Sequence, residues 1–534
     1  MRTDVLIIGA GGAGLSAALS AKKNHANVLV VSKSFPTHSQ TCQAQGGINA
    51  VINKKDSIQS HRNDTYKSSH KLGNQTIIET LCSQGEATIK WLDELGVPFS
   101  RNAENRIAQR KFGGASFNRT CYSSDYTGLK ILHTLYDTCI KENISFLNEH
   151  LLLNLIREKN QVIGATFLDI NTGEVKALYA KTVILASGGY TGIYSGFNTN
   201  SSATTGDGIA AALRAGATLS NMEFVQFHPT AMEGSNVLVS ESARGEGGYL
   251  IDENGERFVD ELQPRDVVAR AIYEKLHQDK KVYLDLRHLG LEKINETMPQ
   301  ERRLAMEFAN VKLESDLLAI NPAAHYCMGG ILVDNHSQSS IKNLYACGEC
   351  SQSNVHGANR LGGNSLLEII TFGKMAGKHA AEKAKTIETQ TYSEHHQLIH
   401  DKNFIENLFH YPNQIDFYDK KACMGKIFFK NVGLFRNDMN MKAVHSQIKQ
   451  WQKELPLMGI GDKSRHYNKN LVDFLEFQNM LELSETVVSS ALSRCESRGA
   501  HYRTDYPNES EAYEKNSVVH KTDDAITVMF KDVL

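Results

Sequence analysis

The sequence predicts an α/β protein with a parallel, doubly wound sheet, an inserted α+β domain and a helical C-terminal domain. Three observations support this fold class. The chain begins with a strand, a glycine-rich turn, a helix and a second strand; mixed strands and helices follow from about residue 222; and beyond about residue 390 the chain is charged, amphipathic and poor in glycine. At 534 residues the chain exceeds the size of one hydrophobic core, so several domains are expected.

The N-terminal segment has the pattern of a dinucleotide-binding βαβ unit. An apolar strand is predicted at 4–8, a helix at 15–23 and a second buried strand at 27–31. In such a unit, glycines permit a tight turn, a close approach to a pyrophosphate and close packing of the helix, whose N-terminus faces the phosphate. The glycines expected at the cofactor are Gly9, Gly11, Gly12 and Gly14.

The segments that follow favour a flavin over a nicotinamide cofactor. Ser32 and Lys33 replace the acid that usually binds the ribose, which weakens a generic NAD site and makes both residues candidate cofactor contacts. Residues 161–180 are predicted to form a hairpin that turns at 171–173 and leads into an apolar strand at 182–186. Such a meander resembles the FAD domains of flavoproteins, so we expect a Rossmann-like FAD-binding domain.

The changes in pattern divide the chain into predicted domains. The clearest helix of the C-terminal half is predicted at Leu471 to Leu492. The FAD-binding domain is expected to comprise two segments, at 1–221 and 335–390, with a capping domain between them at 222–334. A helical domain at 391–500 and a C-terminal tail segment at 501–534 complete the chain.

Composition and charge argue against several classes of function. The formal net charge is −2 and charged residues make up 22%, which gives no electrostatic footprint for nucleic acid or an anionic membrane. The longest apolar runs, such as Val5 to Ala10, are far shorter than the roughly 18 residues that span a bilayer. Because the first strand begins almost at Met1, no targeting leader is expected. We expect a cytoplasmic location without direct membrane insertion.

The cysteines predict neither a metal site nor a disulfide framework. The chain has nine, an odd number without regular spacing, which suits a reducing compartment. Cys347 and Cys350 form a lone CxxC, whereas an iron-sulfur cluster or a structural zinc needs four ligands. We interpret this pair as two small residues that pack in a turn.

Four separated segments resemble the flavoprotein subunits of succinate dehydrogenase and fumarate reductase, a family that also includes L-aspartate oxidase. They lie at 41–51 (TCQAQGGINAV), 112–134 (beginning FGGASFNRT), 222–265 and 325–368. The longer motifs HGANRLGGNSLLE and ESRGAHYRTDYP are more specific than a glycine fingerprint. The resemblance implies FAD as the cofactor and interconversion of fumarate and succinate as the reaction.

A dicarboxylate substrate needs a clamp for each carboxylate, and arginine is the preferred bidentate partner. By the resemblance, Arg360 and His325 would hold one carboxylate. His228 and Ser240 would hold the other, with Ser240 standing where the family usually has threonine. Because the hydroxyl is kept, the hydrogen bond is expected to survive the change.

Reduction of fumarate requires a hydride, delivered from flavin N5, at one alkene carbon and a proton at the other. The resemblance makes Arg265 the proton donor, with Glu241 and Arg244 as its relay. An arginine has a pKa above ~12, so it can donate only to a strongly basic carbanion and must be reprotonated through a relay. A buried ion-pair network around Glu241 is the structural alternative.

The resemblance also implies which residues contact FAD. The turn at 364–366 would open a helix near the isoalloxazine, where a helix N-terminus stabilises a negatively charged reduced flavin. The residues expected at the cofactor are Thr41, Gln45, Gly46, Gly47, Asp207, Glu349, Asn364, Ser365 and Leu366.

The sequence departs from the family at the residue that attaches the flavin. Membrane-complex members usually have a histidine in a segment SHT, whereas this chain reads Ser39, Gln40, Thr41. An amide nitrogen is no nucleophile, so noncovalent FAD is expected. His38 lies two residues away, and in an extended segment it could replace the histidine only after a register shift. In this family the covalent bond is associated with a raised reduction potential of the flavin, which succinate oxidation needs more than fumarate reduction does. Noncovalent FAD therefore favours fumarate reduction.

Two alternatives remain open. L-aspartate oxidase also binds FAD noncovalently, but it places a glutamate where this chain has Phe112, and an apolar ring would leave the substrate ammonium unpaired. The second alternative is a non-catalytic FAD scaffold, against which the intact catalytic motifs argue. For a quinone-linked enzyme, the resemblance implies an iron-sulfur subunit and a membrane-anchor subunit as partners, with the chain peripheral on the cytoplasmic face of the inner membrane.

Overall fold

The structure is a computed structural model that describes residues 2–278, 280–388, 395–522 and 525–533. The expected boundary between the second FAD-binding segment and the helical domain, at 390 and 391, lies outside the described residues. None of the helices in the described ranges is both long enough and apolar enough to cross a membrane.

The elements follow one another in the order expected for an interrupted α/β domain. The strands are β1 (Arg2–Ile8), β2 (Val28–Val31), β3 (Ile48–Asn49), β4 (Gln109–Arg110), β5 (Thr120–Cys121), β6 (Ser145–Leu147), β7 (His150–Glu158), β8 (Gln161–Asp169), β9 (Val175–Leu185), β10 (Leu219–Ser220), β11 (Val225–Met232), β12 (Tyr249–Asp252), β13 (Val282–Asp285), β14 (Leu318–Cys327), β15 (Gly330–Leu332), β16 (Leu344–Ala346), β17 (Ser351–Gln352), β18 (Asn516–Thr522) and β19 (Ala525–Lys531). The α-helices are α1 (Gly12–Lys23), α2 (Ile58–Ser68), α3 (Gln75–Ser83), α4 (Gly85–Leu95), α5 (Thr127–Lys141), α6 (Asp207–Arg214), α7 (Glu241–Gly245), α8 (Arg265–Leu276), α9 (Gly290–Thr297), α10 (Pro299–Ala309), α11 (Asn364–Lys385), α12 (His396–Leu408), α13 (Phe417–Asn431), α14 (Asp438–Glu454) and α15 (Lys469–Ser493).

The largest sheet confirms the predicted βαβ unit. Its strand order is β6-β2-β1-β9-β8-β7, with β16 beside the C-terminal end of β9. The pairs β1–β2, β1–β9, β2–β6 and β9–β16 are parallel. Side chains of β1 alternate between two hydrophobic cores, Leu6 and Ile8 in one and Val5 and Ile7 in the other. The strand is apolar from Val5 to Ile8 because both faces of the sheet are covered there.

The meander after β6 is also present, with one difference from the expectation. β8 and β9 form the antiparallel hairpin, and the turn between them contains Gly173 with a φ of 74°. The strand expected at 182–186 is not separate, since β9 runs on to Leu185. This strand changes partners along its length, from β8 at its start to β16 at its end. The hairpin is therefore continuous with the parallel sheet.

A segment inserted before β16 interrupts the part of the chain that forms this sheet. The inserted segment has its own antiparallel sheet, with the strand order β11-β14-β13-β12. Its hydrophobic core includes Leu250, Ile272, Leu284 and Ile294 from strands and helices of the segment. Helices α8, α9 and α10 belong to it as well. β11 and the N-termini of α7 and α8 carry several of the candidate site residues.

The C-terminal region combines helices with two strands that the sequence did not predict. α15 confirms the helix expected at Leu471 to Leu492. In the tail, β18 and β19 form a hairpin, and β18 pairs with β10, with Leu219 opposite Val519. This pairing joins the end of the chain to the strand that immediately precedes the inserted segment.

Candidate active site

One long cleft brings the candidate residues together. It runs from the turn after β1 to the inserted segment, so the expected cofactor contacts and the expected substrate contacts share a single space. Three predicted residues, Gly14, Asn364 and Arg244, are not among the residues that line it. The predicted residues that line it are Gly9, Gly11, Gly12, Ser32, Lys33, Thr41, Gln45, Gly46, Gly47, Phe112, Asp207, His228, Ser240, Glu241, Arg265, His325, Glu349, Arg360, Ser365 and Leu366.

The glycine-rich turn has no room for side chains where the backbone packs most closely. A Cβ on Gly9, which has a φ of 113°, would lie 2.1 Å from the carbonyl oxygen of Ala186, and one on Gly14 would lie 1.9 Å from that of Gly9. Gly9 therefore permits the turn, and Gly14 lets α1 start directly against it. The N–H of Gly12 donates to Thr41 Oγ1 at 3.0 Å.

Several buried polar atoms along the cleft fit a bound dinucleotide. Ser39 Oγ, Gln45 Oε1 and Ser187 Oγ have no hydrogen-bond partner among the described residues, although all three residues line the cleft. Leaving such an atom unpaired costs about 1–3 kcal/mol, so partners from a bound group would stabilise the fold. The N-termini of α1 and α11 open at the same cleft and favour negative charge there.

Lys33 and Asp207, both expected at the cofactor, pair with each other. Lys33 Nζ lies 2.6 Å from Asp207 Oδ2 and 2.7 Å from Glu476 Oε1 on α15. Burial opposes the charge of Lys33, but the two carboxylates outweigh it and raise its pKa. Asn479 Nδ2 donates to Asp207 Oδ1 at 2.9 Å. Lys33 and Asp207 thus connect the cleft to α15. No sequence pattern marks Glu476 as a partner of Lys33.

Two histidines of the inserted segment lie side by side in the cleft. The ring centroids of His228 and His325 are 4.9 Å apart. His325 Nδ1 lies 2.8 Å from Thr199 Oγ1, and His228 Nδ1 lies 3.1 Å from the carbonyl oxygen of Thr230. Burial, and then the nearby charge of Arg265, lower the pKa of both imidazoles well below the usual value. Both rings are therefore neutral at pH 7 and suited to hydrogen bonding.

Arg360 supplies positive charge beside these rings. Its guanidinium lies 4.2 Å above the ring of Tyr326, and Nη1 donates to Ser365 Oγ at 3.2 Å. Nε is buried without a partner among the described residues. Burial, followed by repulsion from Arg265, lowers the pKa of Arg360 to about 10. The group remains charged at neutral pH and has a donor left for a carboxylate.

Arg265 and Glu241 form a buried ion pair in the same cleft. Arg265 Nε and Nη2 donate to Glu241 Oε2 at 2.8 and 2.6 Å, and Glu241 Oε1 accepts from the N–H of Gly113 at 2.7 Å. Burial opposes ionisation of Glu241, but the charges of Arg265 and Arg244 outweigh it and lower the pKa. Arg244 Nη1 donates to the carbonyl oxygen of Glu261 at 2.6 Å. The implied proton donor thus pairs directly with Glu241, whereas Arg244 acts on Glu241 through its charge.

Ser240 presents a hydroxyl with a free hydrogen. It caps α7, and its Oγ accepts from the N–H of Ser242 at 3.1 Å and from Ser242 Oγ at 2.8 Å. With both acceptor positions filled, the hydroxyl can donate to a carboxylate. The N–H of Ser240 donates to Glu301 Oε1 at 2.7 Å. Burial, followed by the carboxylate of Asp125, raises the pKa of Glu301 to about 8.

Gln226 is a site residue that the sequence analysis missed. Its Oε1 accepts from Arg265 Nη1 at 3.2 Å, and its Nε2 donates to the carbonyl oxygen of Arg360 at 2.8 Å and to Asn359 Oδ1 at 2.7 Å. One side chain therefore contacts both arginine positions of the cleft. The sequence feature that could have indicated it is its position two residues before His228 on a strand, because alternate residues of a strand share a face.

The segment around Gln40 is not extended, contrary to the assumption used for His38. Residues 36–38 and 40–43 form two short 3₁₀ helices. The displacement of His38 from position 40 therefore does not follow strand geometry, and the register shift expected for an extended segment does not apply. Phe112 is buried and lines the cleft, and a Cβ on Gly46 would lie 2.5 Å from its Cζ. Its ring thus forms a wall of the cleft.

Comparisons with known proteins agree with this geometry. The family model described as "FAD binding domain" matches residues 4–366, and the model described as "Fumarate reductase flavoprotein C-term" matches residues 421–534. The succinate dehydrogenase flavoprotein subunit of Rickettsia bellii is 37% identical over 544 residues, which cover 95% of this chain and 91% of the relative. The 8-methylmenaquinol:fumarate reductase flavoprotein subunit of Wolinella succinogenes is 37% identical over 539 residues, covering 97% and 88%.

A solved structure shows the same agreement in three dimensions. A quinol-fumarate reductase with menaquinol molecules superimposes with a TM-score of 0.95 at 32% identity, covering 100% of this chain and 98% of that one. The match extends over the FAD-binding region, the inserted segment and the C-terminal region. This chain therefore belongs to the family of succinate dehydrogenase and fumarate reductase flavoprotein subunits, and it is an FAD-dependent oxidoreductase.

Proposed function

We propose that this protein interconverts fumarate and succinate, with fumarate reduction as the favoured direction. The observation that carries the proposal is the position of the Arg265–Glu241 ion pair in the same cleft as His228, His325 and Arg360. A dicarboxylate needs cationic or hydrogen-bonding groups at both ends and, for reduction of its double bond, a proton donor between them. The cleft supplies all of these groups.

The substrate would be held through its two carboxylates. Arg360 and His325 would bind one of them, with the unpaired Nε of Arg360 as a charged donor. His228 and the free hydroxyl hydrogen of Ser240 would bind the other. Since both imidazoles are neutral, the net positive charge comes from the arginines, and the dianion is matched without protonation of a histidine.

Arg265 would supply the proton. The bound flavin would supply the hydride once an electron donor has reduced it by two electrons, and the remaining requirement is a proton at the other alkene carbon. Glu241 holds the guanidinium of Arg265 in place and, with Arg244, would return a proton to it after each turnover. Balanced in this way, fumarate takes up one hydride and one proton and becomes succinate.

We also propose that FAD is bound noncovalently, as an aspect of the same function. The residues that would hold it are those of the glycine-rich turn, Thr41, Gln45, Glu349 and the N-terminus of α11. Gln40 has no nucleophilic nitrogen to attach a flavin. Acid precipitation of the purified protein should release yellow FAD into the supernatant. FAD that stays in the pellet would show a covalent bond made by another residue and would remove the reason for favouring fumarate reduction.

The partners and the domain division belong to the proposal as well. The relatives named above are subunits, and we propose that this chain works with an iron-sulfur subunit and a membrane-anchor subunit at the cytoplasmic face of the inner membrane.

The segment at 222–334 would act as a cap over the FAD-binding segments at 1–221 and 335–390. Closure of the cap would exclude water from the reacting atoms.

The proposal is tested by turnover in both directions with artificial electron carriers. FAD-loaded protein should oxidise a reduced viologen dye when fumarate is added, and it should oxidise succinate more slowly with an artificial acceptor. L-aspartate is the control substrate, because Phe112 offers no partner for its ammonium group. Aspartate oxidation without fumarate reduction would favour the oxidase, and the absence of all turnover would favour a scaffold.

A further inference from the structure

The loop at 197–201 lies against the strand that carries His325. The N–H of Thr199 donates to the carbonyl oxygen of Ala324, and the N–H of Ala324 donates to that of Phe197, both at 2.9 Å. Asn200 Nδ2 donates to the carbonyl oxygen of His325 at 2.9 Å. The loop therefore fixes the backbone of His325 from one side.

The same loop fixes the imidazole ring. Thr199 Oγ1 lies 2.8 Å from His325 Nδ1 and 3.2 Å from Asn200 Oδ1. A hydroxyl has one hydrogen, and the shorter contact favours its donation to the imidazole. Donation to Nδ1 makes the neutral ring carry its own hydrogen on Nε2, as a donor to a carboxylate.

Gln40 holds this loop through both ends of its amide. Its Nε2 donates to Asn200 Oδ1 at 3.0 Å, and its Oε1 accepts from the N–H of Ser201 at 2.9 Å. The first bond fixes the Asn200 amide with Nδ2 towards His325. It also occupies one of the two lone pairs of Asn200 Oδ1, the competing acceptor for the hydroxyl of Thr199.

We propose that Gln40 is a positioning residue for His325, acting through Asn200 and Thr199 to hold the imidazole as an Nε2–H donor for a dicarboxylate. The proposal rests on the dicarboxylate function proposed above. It gives position 40 a role in substrate affinity that depends on an amide, independent of any bond to the flavin. Gln40 does not touch the substrate, so its loss should weaken binding more than the chemical step.

The test compares Gln40→Leu with Gln43→Leu. Gln43 is an exposed neighbour that contacts Gln40 but not the loop, so it is a matched control. The probe is malonate, an unreactive dicarboxylate whose binding is followed by the absorbance of FAD in the loaded protein. Gln40→Leu should raise the malonate Kd and the fumarate KM about tenfold, which corresponds to about 1.4 kcal/mol. kcat should change by less than about threefold, and Gln43→Leu should match the wild type.

A second variant separates positioning from general damage. Thr199→Val removes the hydroxyl at the imidazole and should weaken malonate binding to a similar extent. The double variant with Gln40→Leu should be little worse than either single variant, because both changes break one chain of contacts. Losses that multiply, or malonate binding within twofold of the wild type in Gln40→Leu, would overturn the proposal. Should Gln40→Leu not retain FAD, unchanged malonate binding in Thr199→Val would overturn it equally.

The outcomes also separate this proposal from the proposed function. Wild-type protein that binds malonate in a Gln40-dependent way but reduces no fumarate would refute the reaction and retain the positioning role. Wild-type protein that does not bind malonate at all would refute both.

Discussion

Two nitrogen atoms of Arg265 donate to one oxygen atom of Glu241. The distances from Nε and Nη2 to Oε2 are 2.8 and 2.6 Å, and the other carboxylate oxygen accepts from the N–H of Gly113. Both groups are almost fully buried. The carboxylate therefore fixes the plane of the guanidinium and leaves Nη1 on the side of Gln226.

Replacing Glu241 by glutamine tests this relationship. The amide is neutral and also carries its own donor, so it loses the charge that offsets Arg265 and the proton acceptor of the relay. We expect Glu241→Gln to lower kcat for fumarate reduction by about 10²–10⁴-fold, the range for loss of a positioned proton-transfer group. Malonate binding should be retained, since His228, His325 and Arg360 are unchanged. Loss of malonate binding together with kcat would assign Glu241 to the clamp instead.

The buried carboxyl group of Glu301 should make the free energy of unfolding depend on pH. Its pKa is raised to about 8 in the folded chain, whereas an unfolded glutamate has a pKa of about 4.5. Between these values the folded state holds a proton that the unfolded state has lost, so the free energy of unfolding falls as the pH rises. Glu301→Gln removes this effect. The melting temperature of Glu301→Gln should therefore rise relative to that of the wild type as the pH increases from 5 to 9.

The control for this prediction is Glu307→Gln, an exposed position on the same helix, α10. Its melting curve should run parallel to that of the wild type over the whole pH range. If the Glu301→Gln curve also runs parallel, the buried carboxyl group does not carry the assigned pKa.

A buried charge network ties the tail to the rest of the chain. Arg494 Nε lies 2.7 Å from Glu223 Oε1, and Nη1 lies 3.0 Å from Glu496 Oε1, with all three side chains fully buried. Arg494→Met leaves two carboxylates without this partner and should lower the free energy of unfolding by about 3–5 kcal/mol. The measurement is urea denaturation of the FAD-loaded protein.

The matched control is Arg287→Met, which removes the ion pair between an exposed arginine and Asp285. Because solvent screens this pair, the change should leave the free energy of unfolding close to that of the wild type. Equal losses in the two variants would mean that the network around Arg494 is no more important to stability than a surface pair.

Local patterns allowed much of this structure to be predicted. The turn from Gly9 to Gly14 and the helix of α15 depend on residues close together in the sequence, and the motifs around His228 and His325 place these side chains in the cleft. Partners from distant segments were not predictable. The Lys33–Glu476 pair joins residues that are far apart in sequence, and no local signal marks either as a partner.

The tail illustrates the same limit. β18 gains its strand partners from β10, about three hundred residues earlier, and from β19. The contact of Glu301 was equally unpredictable, because the hydrogen bond that it accepts from the N–H of Ser240 depends on how α10 packs against the start of α7. Such contacts arise from the fold as a whole, so they appear only when the elements are assembled.

The most direct test of the proposed function is fumarate reduction by Arg265→Gln, with Arg287→Gln as a control at an exposed arginine of the same segment. Arg265→Gln should retain FAD and lose about 10²–10⁴-fold in kcat, because the proton donor is gone. Arg287→Gln should match the wild type. Turnover by Arg265→Gln within tenfold of the wild type would contradict the proposed role of Arg265 and would mean that another group supplies the proton.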